Sequence, residues 1–188
     1  MRGNTFLAWV IIIVSIGYFV HIEPYMARHY AYPFMYRDVV EQEAIENHVP
    51  ASLIAGIILA ESKFKEEATS DRGAVGLMQL MPDTALWIGK ELNQSELSEN
   101  DIKNPKVNIK LGTWYIAHLL EEYHDNEILA LAAYNAGRGH VDDWMKENGW
   151  GYEFSNIRDI PFPETRKYVE MVLAYQKQYE VLYPLERN

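Results

Sequence analysis

The chain has 188 residues, with 27 acidic side chains against 17 basic ones, a net charge of −10, 13 tyrosines, 5 tryptophans and no cysteine. The missing cysteines exclude a disulfide scaffold, a thiolate metal site and a cysteine nucleophile. The acidic balance repels nucleic acids and anionic lipid surfaces, so attraction to either is no basis for function; a largely uncharged polymer, read by stacking and hydrogen bonds, fits better. Beyond an apolar N-terminal segment about 165 residues remain, enough for one domain with a substantial core.

From Gly3 to Ile22 there is no Asp, Glu, Lys or Arg, and Phe6 to Val14 is continuously apolar. A helix of about 20 residues covers roughly the 30 Å of a bilayer's hydrocarbon core. The sequence therefore predicts an uncleaved membrane anchor over residues 1–22, a linker or docking segment over 23–36, and a folded domain over 37–188. A cleaved signal peptide is the competing reading. Against it, the apolar stretch is long, and His21-Ile22-Glu23-Pro24-Tyr25 offers no small-x-small cleavage site. Arg2 before the span and Arg28 and Arg37 after it leave the charge rule for orientation nearly balanced. Tyr18, Tyr25, Tyr30, Tyr32 and Tyr36 cluster at the exit, where ringed side chains anchor at headgroup level.

Helix signals dominate after Tyr36. The first expected helix runs from Arg37 to Asn47. Pro50 suits the first position of a second, reaching about Lys63 with Leu53, Ile54, Ile57 and Ile58 on its apolar side. A polar loop follows over Lys65–Gly73, and Pro82 opens a short helix through Ile88. Asn104-Pro105 starts a long helix on which Val107, Leu111, Trp114, Tyr115 and Leu119 recur at helical spacing. Glu127–Asn135 and Gly139–Glu147 read as two more. Pro163-Glu164 opens the last, with Tyr168, Val172, Tyr175, Tyr179 and Leu182 on one stripe. Strand-like alternation is nearly absent, so the fold class is mainly α.

Leu53, Ile57 and Glu61 lie four residues apart, which puts Glu61 on the apolar face of its own helix. Desolvation there disfavours the carboxylate, so the acid is expected to hold its proton near neutral pH, as protonation of a leaving-group oxygen requires. The stretch Glu61-Ser62-Lys63-Phe64 is followed by Ser70-Asp71-Arg72-Gly73-Ala74-Val75-Gly76-Leu77-Met78-Gln79-Leu80-Met81-Pro82. Later come Ala132-Ala133-Tyr134-Asn135-Ala136-Gly137 and Glu164-Thr165-Arg166-Lys167-Tyr168-Val169. In order and spacing these four motifs, covering the chain from about Tyr36 onward, resemble the soluble-lytic-transglycosylase domain, a lysozyme-like fold.

The resemblance implies a peptidoglycan lytic transglycosylase in which Glu61 is the single acid and base. Ser70 would hold the N-acetyl sugar beside the scissile bond, Gln79 and Met81 would line the glycan groove, and Tyr134 would stand near the catalytic carboxylate. Glu164 would bind a sugar on the far side; Tyr168 is the last motif tyrosine. That activity, joined to the anchor read from residues 1–22, leads to the expectation of a single-pass bacterial membrane protein whose catalytic domain lies on the cell-wall side, with peptidoglycan strands and the membrane as its partners. Ordinary glycosidases need a second carboxylate; Glu66, Glu67, Asp71 and Asp83 are near enough in sequence to reopen a hydrolytic route. The rival readings are thus a muramidase of the same fold and a non-catalytic glycan-binding scaffold. Glu121-Glu122-Tyr123-His124 supplies one Glu-x-x-His where a di-iron bundle needs two, and His118 and His124 lack the zinc-protease pattern. No cofactor, metal or nucleic acid is expected.

Overall fold

The computed structural model describes residues 2–94 and 97–184, with side chains from Leu7 onward. Helix α1 (Arg2–Gly17) continues without a break through a π-helical turn at Tyr18–Ile22, α2 (Glu23–Met26) and a second π-turn at Ala27–Ala31. Pro24 has no N–H for the ordinary ladder, and the turn before it widens: the Glu23 N–H donates to the Tyr18 carbonyl five residues back. The helix therefore runs past Ile22 through most of the expected linker. Its 25-residue stretch Leu7–Ala31 is apolar and long enough to cross a membrane, and its most apolar window buries nothing against the rest of the chain.

The domain after Tyr36 is built around α4 (Ala51–Glu61), whose Leu53, Ile54, Ala55, Ile57 and Ile58 are completely buried. A helix apolar on every side belongs at the centre of a bundle. Around it pack α3 (Arg37–Asn47), α7 (Pro105–Glu122), α8 (Glu127–Ala136) and α10 (Pro163–Leu182), each touching the next. Helix α9 (Arg138–Asn148) covers α8, with Val141 and Trp144 turned inward. The expected second helix was drawn two residues too long, because Ser62 leaves helical geometry and Lys63 and Phe64 take positive φ.

A smaller apolar cluster of Val75, Leu80, Ala85, Ile88, Ile102 and Leu111 fastens residues 75–80, α5 (Pro82–Glu91) and α6 (Glu99–Lys103) onto α7. Helix α6 was not expected. It is only five residues long and owes its start to a reciprocal Ser98–Asp101 capping box. Among the described residues the only strand-like pairing is two isolated bridges, Thr69 to Val75 and Val75 to Leu80.

Two close approaches set the geometry that matters later. At Gly56 a side chain would meet the Val172 carbonyl and the Gln176 amide nitrogen at 3.2 Å, so the α4 and α10 backbones nearly touch. At Gly76, held at φ +80°, a Cβ would lie 2.4 Å from the Asn108 side chain. Asn108 is completely buried in α7 and pins the neighbouring turn. It accepts from the Met78 N–H at 2.7 Å and donates to the Val75 and Ile102 carbonyls at 3.0 Å.

Replacing Asn108 with Ala strands one buried N–H and two buried carbonyls. At about 1–3 kcal/mol for an unsatisfied buried group, partly relieved by water, Asn108→Ala should cost about 3 kcal/mol. For a domain of this size the melting temperature should fall by about 6–12 °C, which thermal unfolding followed by circular dichroism would measure.

Candidate active site

Glu61 is the last residue of α4, and Ser62 is buried behind it with its hydroxyl donating to the Ile58 carbonyl. The rigid helix thus delivers the Glu61 carboxyl to the edge of the core. There burial raises its pKa from 4.5 to about 7, and a contact from the Tyr168 hydroxyl offsets only part of the rise. Among the described residues no second carboxylate is a cause of the shift. Yet Glu61 keeps some solvent exposure, so a substrate can reach an acid that water hydrates poorly.

Two tyrosines flank the acid. Tyr134 of α8 and Tyr168 of α10 both lie within electrostatic reach of Glu61, and burial with that negative neighbour pushes both phenols well above their usual range. Their hydroxyls differ. Tyr134 donates to the Met78 carbonyl at 2.8 Å, so this hydroxyl is satisfied by the backbone. Tyr168 faces Glu61 without reaching full hydrogen-bond geometry, and among the described residues its buried hydroxyl has no other partner.

The loop from Lys65 to Leu80 is held as a shaped piece. Met78, completely buried with Leu77, is gripped on both sides of its backbone: Asn108 takes its N–H and Tyr134 its carbonyl. Gln79 sits at φ 47° and donates its amide to the Ala68 and Gly76 carbonyls at 3.0 and 2.9 Å, leaving its own carbonyl oxygen as an acceptor. Ser70 closes a turn by accepting from the Ala74 N–H at 3.0 Å, which leaves its hydroxyl proton free to donate. Met81 caps the start of α5 and is 43% exposed. Glu164 is exposed in the first turn of α10. Among the described residues no hydrogen bond joins Ser70, Met81 or Glu164 to Glu61.

The motifs also bond to one another, and they have neighbours that the sequence does not single out. Asn135 accepts from the buried Thr165 hydroxyl at 2.8 Å, tying the third motif to the fourth. Tyr115 packs its ring on Tyr134 at 5.4 Å, from a helix face that reads only as core. Asn108 is the clearest omission; its one signal is a polar residue inside an otherwise apolar face of α7. Of the nearby acids, Glu67, Asp71 and Asp83 are exposed, and Glu66 accepts from the Tyr36 hydroxyl. A cavity of about 430 Å³ lined by Phe34, Ala51, Tyr179 and Tyr183 lies at the other end of α4, about 15 Å of helix away.

A mainly helical bundle presenting one desolvated glutamate beside two tyrosines is a lysozyme-like arrangement with a single acid. The profile of the Transglycosylase SLT domain matches residues 38–156, and the chain belongs to that family. Similar proteins include the soluble lytic murein transglycosylase of Escherichia coli K12, 34% identical over 150 residues, covering 79% of this chain and 23% of the relative. The membrane-bound lytic murein transglycosylase F of Desulfosudis oleivorans is 28% identical over 185 residues, covering 90% of this chain and 38% of the relative. Among solved structures, the 70 kDa soluble lytic transglycosylase of E. coli superposes with a TM-score of 0.75 at 32% identity, covering 81% of this chain and 25% of that one. An inactive Glu-to-Gln mutant of the Pseudomonas aeruginosa lytic transglycosylase Slt gives 0.72 at 36% identity, covering 80% of this chain and 24% of that one. The chain thus spans about a quarter of the length of these soluble relatives.

Burial places the folded-state pKa of Glu61 above that of the unfolded chain, so the folded form alone holds the extra proton between about pH 4.5 and 7. Stability therefore falls as pH rises through that window. Glu61→Gln removes the ionisation and should be more stable than the parent by roughly 2–3 kcal/mol at pH 8. At pH 4 the two should match. Denaturant unfolding at both pH values reads the difference, and an equal gap at each would contradict a raised pKa.

Proposed function

We propose that the chain cleaves the MurNAc-β-1,4-GlcNAc bond of peptidoglycan without water, as a lytic transglycosylase in which Glu61 serves as both acid and base. The observation that carries this reading is the Glu61 carboxyl itself, largely desolvated at the end of an apolar helix and poised at about 7. An acid near neutrality can donate a proton in one half of a reaction and recover it in the other.

In the first half Glu61 protonates the glycosidic oxygen and the C1–O bond breaks, leaving positive charge on the muramic acid ring. In the second, the Glu61 carboxylate takes the proton of the same sugar's C6 hydroxyl while O6 bonds to C1. The product is a 1,6-anhydromuramoyl end, and Glu61 is again protonated. The Tyr168 hydroxyl, buried and otherwise unpartnered among the described residues, is available to the carboxylate between the two halves. Tyr134 braces the wall through Met78, while Ser70, Gln79, Met81 and Glu164 are assigned to sugar contacts along the groove, with residues 37–188 as the catalytic domain. The relatives' names support the reaction, and the inactive Glu-to-Gln mutant of the Pseudomonas protein supports an essential glutamate there. A 70 kDa soluble lytic transglycosylase of similar fold, 32% identical to this chain, is also known in complex with bulgecin A.

The reading includes a single membrane pass, with the domain on the cell-wall side where its polymer lies. The long apolar helix and the membrane-bound relative support membrane association.

Digesting purified sacculi in ¹⁸O-labelled water, with mass spectrometry of the products, tests the chemistry. The expected ends are non-reducing, one water lighter than hydrolysed ends, and unlabelled; labelled reducing ends would replace the lyase with a muramidase. Glu61→Gln should lose more than the roughly 10²–10⁴-fold typical of a single proton transfer, because the same group serves both halves. A well-folded Glu61→Gln protein with near-normal turnover would end the assignment.

A further inference from the structure

Residues 28–36 are not a free tether. The last turns of α10 carry Tyr175 and Tyr179 on one face, and Tyr183, the residue just past the helix end, stacks its ring on Tyr179 at 5.7 Å. The Tyr32 ring meets Tyr175 and Tyr179 edge-on at 6.0 Å, and the Phe34 ring meets Tyr179 and Tyr183 at 5.4 and 5.2 Å. The Tyr179 hydroxyl donates to the Pro33 carbonyl at 2.7 Å, and the Tyr183 hydroxyl to the Tyr32 carbonyl at 2.8 Å. Both arginines that flank the segment lie over this aromatic surface: Arg28 5.6 Å and Arg37 5.9 Å from the Tyr183 centroid. Edge-to-face aromatic pairs and cation–π contacts are individually weak but favourable, and here they accumulate on one short segment.

The helix that closes this clasp also builds the catalytic centre. Helix α10 carries Tyr168 beside Glu61 and presses against α4 at Gly56. On the other side the clasped segment joins directly to the helix that ends at Ala31. From the apolar helix to the acid, the connection therefore runs through packed contacts.

We propose that this clasp of Tyr32 and Phe34 against Tyr179 and Tyr183 fixes the catalytic domain on its membrane helix and so restricts the enzyme to glycan strands lying at the bilayer surface. The proposal rests on the transglycosylase reading of Glu61. Unclasped, residues 32–36 would act as a flexible linker after the helix and let the domain wander and turn over about 12 Å. A domain of about 150 residues has a radius of gyration near 15 Å, so one clasped to its anchor keeps its groove within about 40 Å of the lipid. Strands tethered to the same bilayer are then presented at high local concentration, and strands deeper in a wall are out of reach.

The absence of native cysteines allows clean spin labelling of the full chain in lipid nanodiscs. Labels at Glu23→Cys and Glu170→Cys, both exposed positions, report anchor-to-domain distance by pulsed electron paramagnetic resonance. A single narrow distribution is expected, broadening when Tyr32→Ala and Phe34→Ala are added. A broad distribution in the parent, or a narrow one that survives both substitutions, would overturn the clasp.

The substrate claim is read in liposomes, comparing lipid-tethered glycan strands in the same bilayer with sacculus fragments added outside. The parent should favour the tethered strands by at least tenfold. The Tyr32→Ala, Phe34→Ala protein keeps the apolar helix and so part of that preference, but should cut the added sacculus fragments several-fold faster than the parent while cutting short soluble strands at the parental rate; a fragment rate unchanged from the parent would overturn the substrate claim. Equal parental rates on both substrates would overturn the substrate claim. A narrow distance distribution with no cleavage of any substrate would instead refute the reaction assigned to Glu61, and the substrate claim with it.

Discussion

Burial of the Glu61 carboxyl is the constraint around which the rest of the structure is arranged. A carboxylate held at the end of an otherwise apolar helix loses hydration, and the negative end of the helix dipole works in the same direction. The cost is carried by an extensive core: Leu53, Ile54, Ile57 and Ile58 on the same helix are completely buried. Eleven residues of packed helix fix where the Glu61 backbone lies, so its carboxyl stands at the edge of the core with only partial access to solvent. What would be a defect in a purely structural helix becomes a proton held at a fixed point and released near pH 7.

That point is useful only if the surrounding wall is equally fixed, and the hydrogen bonds show how the wall is made. Met78 is held through its N–H by Asn108 of α7 and through its carbonyl by Tyr134 of α8. Thr165 of α10 is joined to Asn135 of α8. The motif segments are thus bonded to one another or to the bundle. Helix α10 unites the scheme, because it touches α4 at Gly56, faces Glu61 with Tyr168, and grips residues 28–36 with the tyrosines at its end.

Much of this was legible in the sequence because it depends on short-range rules. Proline at positions 82, 105 and 163 marks three helix starts, and the 3.6-residue recurrence of apolar side chains marks the faces that α7 and α10 bury. The placement of Glu61 on the apolar face followed from its spacing to Leu53 and Ile57 alone. Asn108 was not legible, since a buried polar residue is defined by partners 6, 30 and 33 positions away. Nor was the role of Tyr168, which reads as one more ring on an apolar stripe until the α4–α10 contact brings it to the acid. The tyrosines at the membrane exit illustrate a different limit. Tyr32 satisfies the composition rule for a headgroup anchor, but its ring is spent on Tyr175 and Tyr179 of the domain.

The central claim is that a single glutamate is kept protonated near neutral pH by its surroundings. Infrared difference spectroscopy between the parent protein and Glu61→Gln isolates the carbonyl band of the protonated Glu61 side chain, which can be followed as pH is raised. With the acid desolvated as described, this band should disappear with a midpoint near 7. A midpoint near the ordinary 4.5 would contradict it.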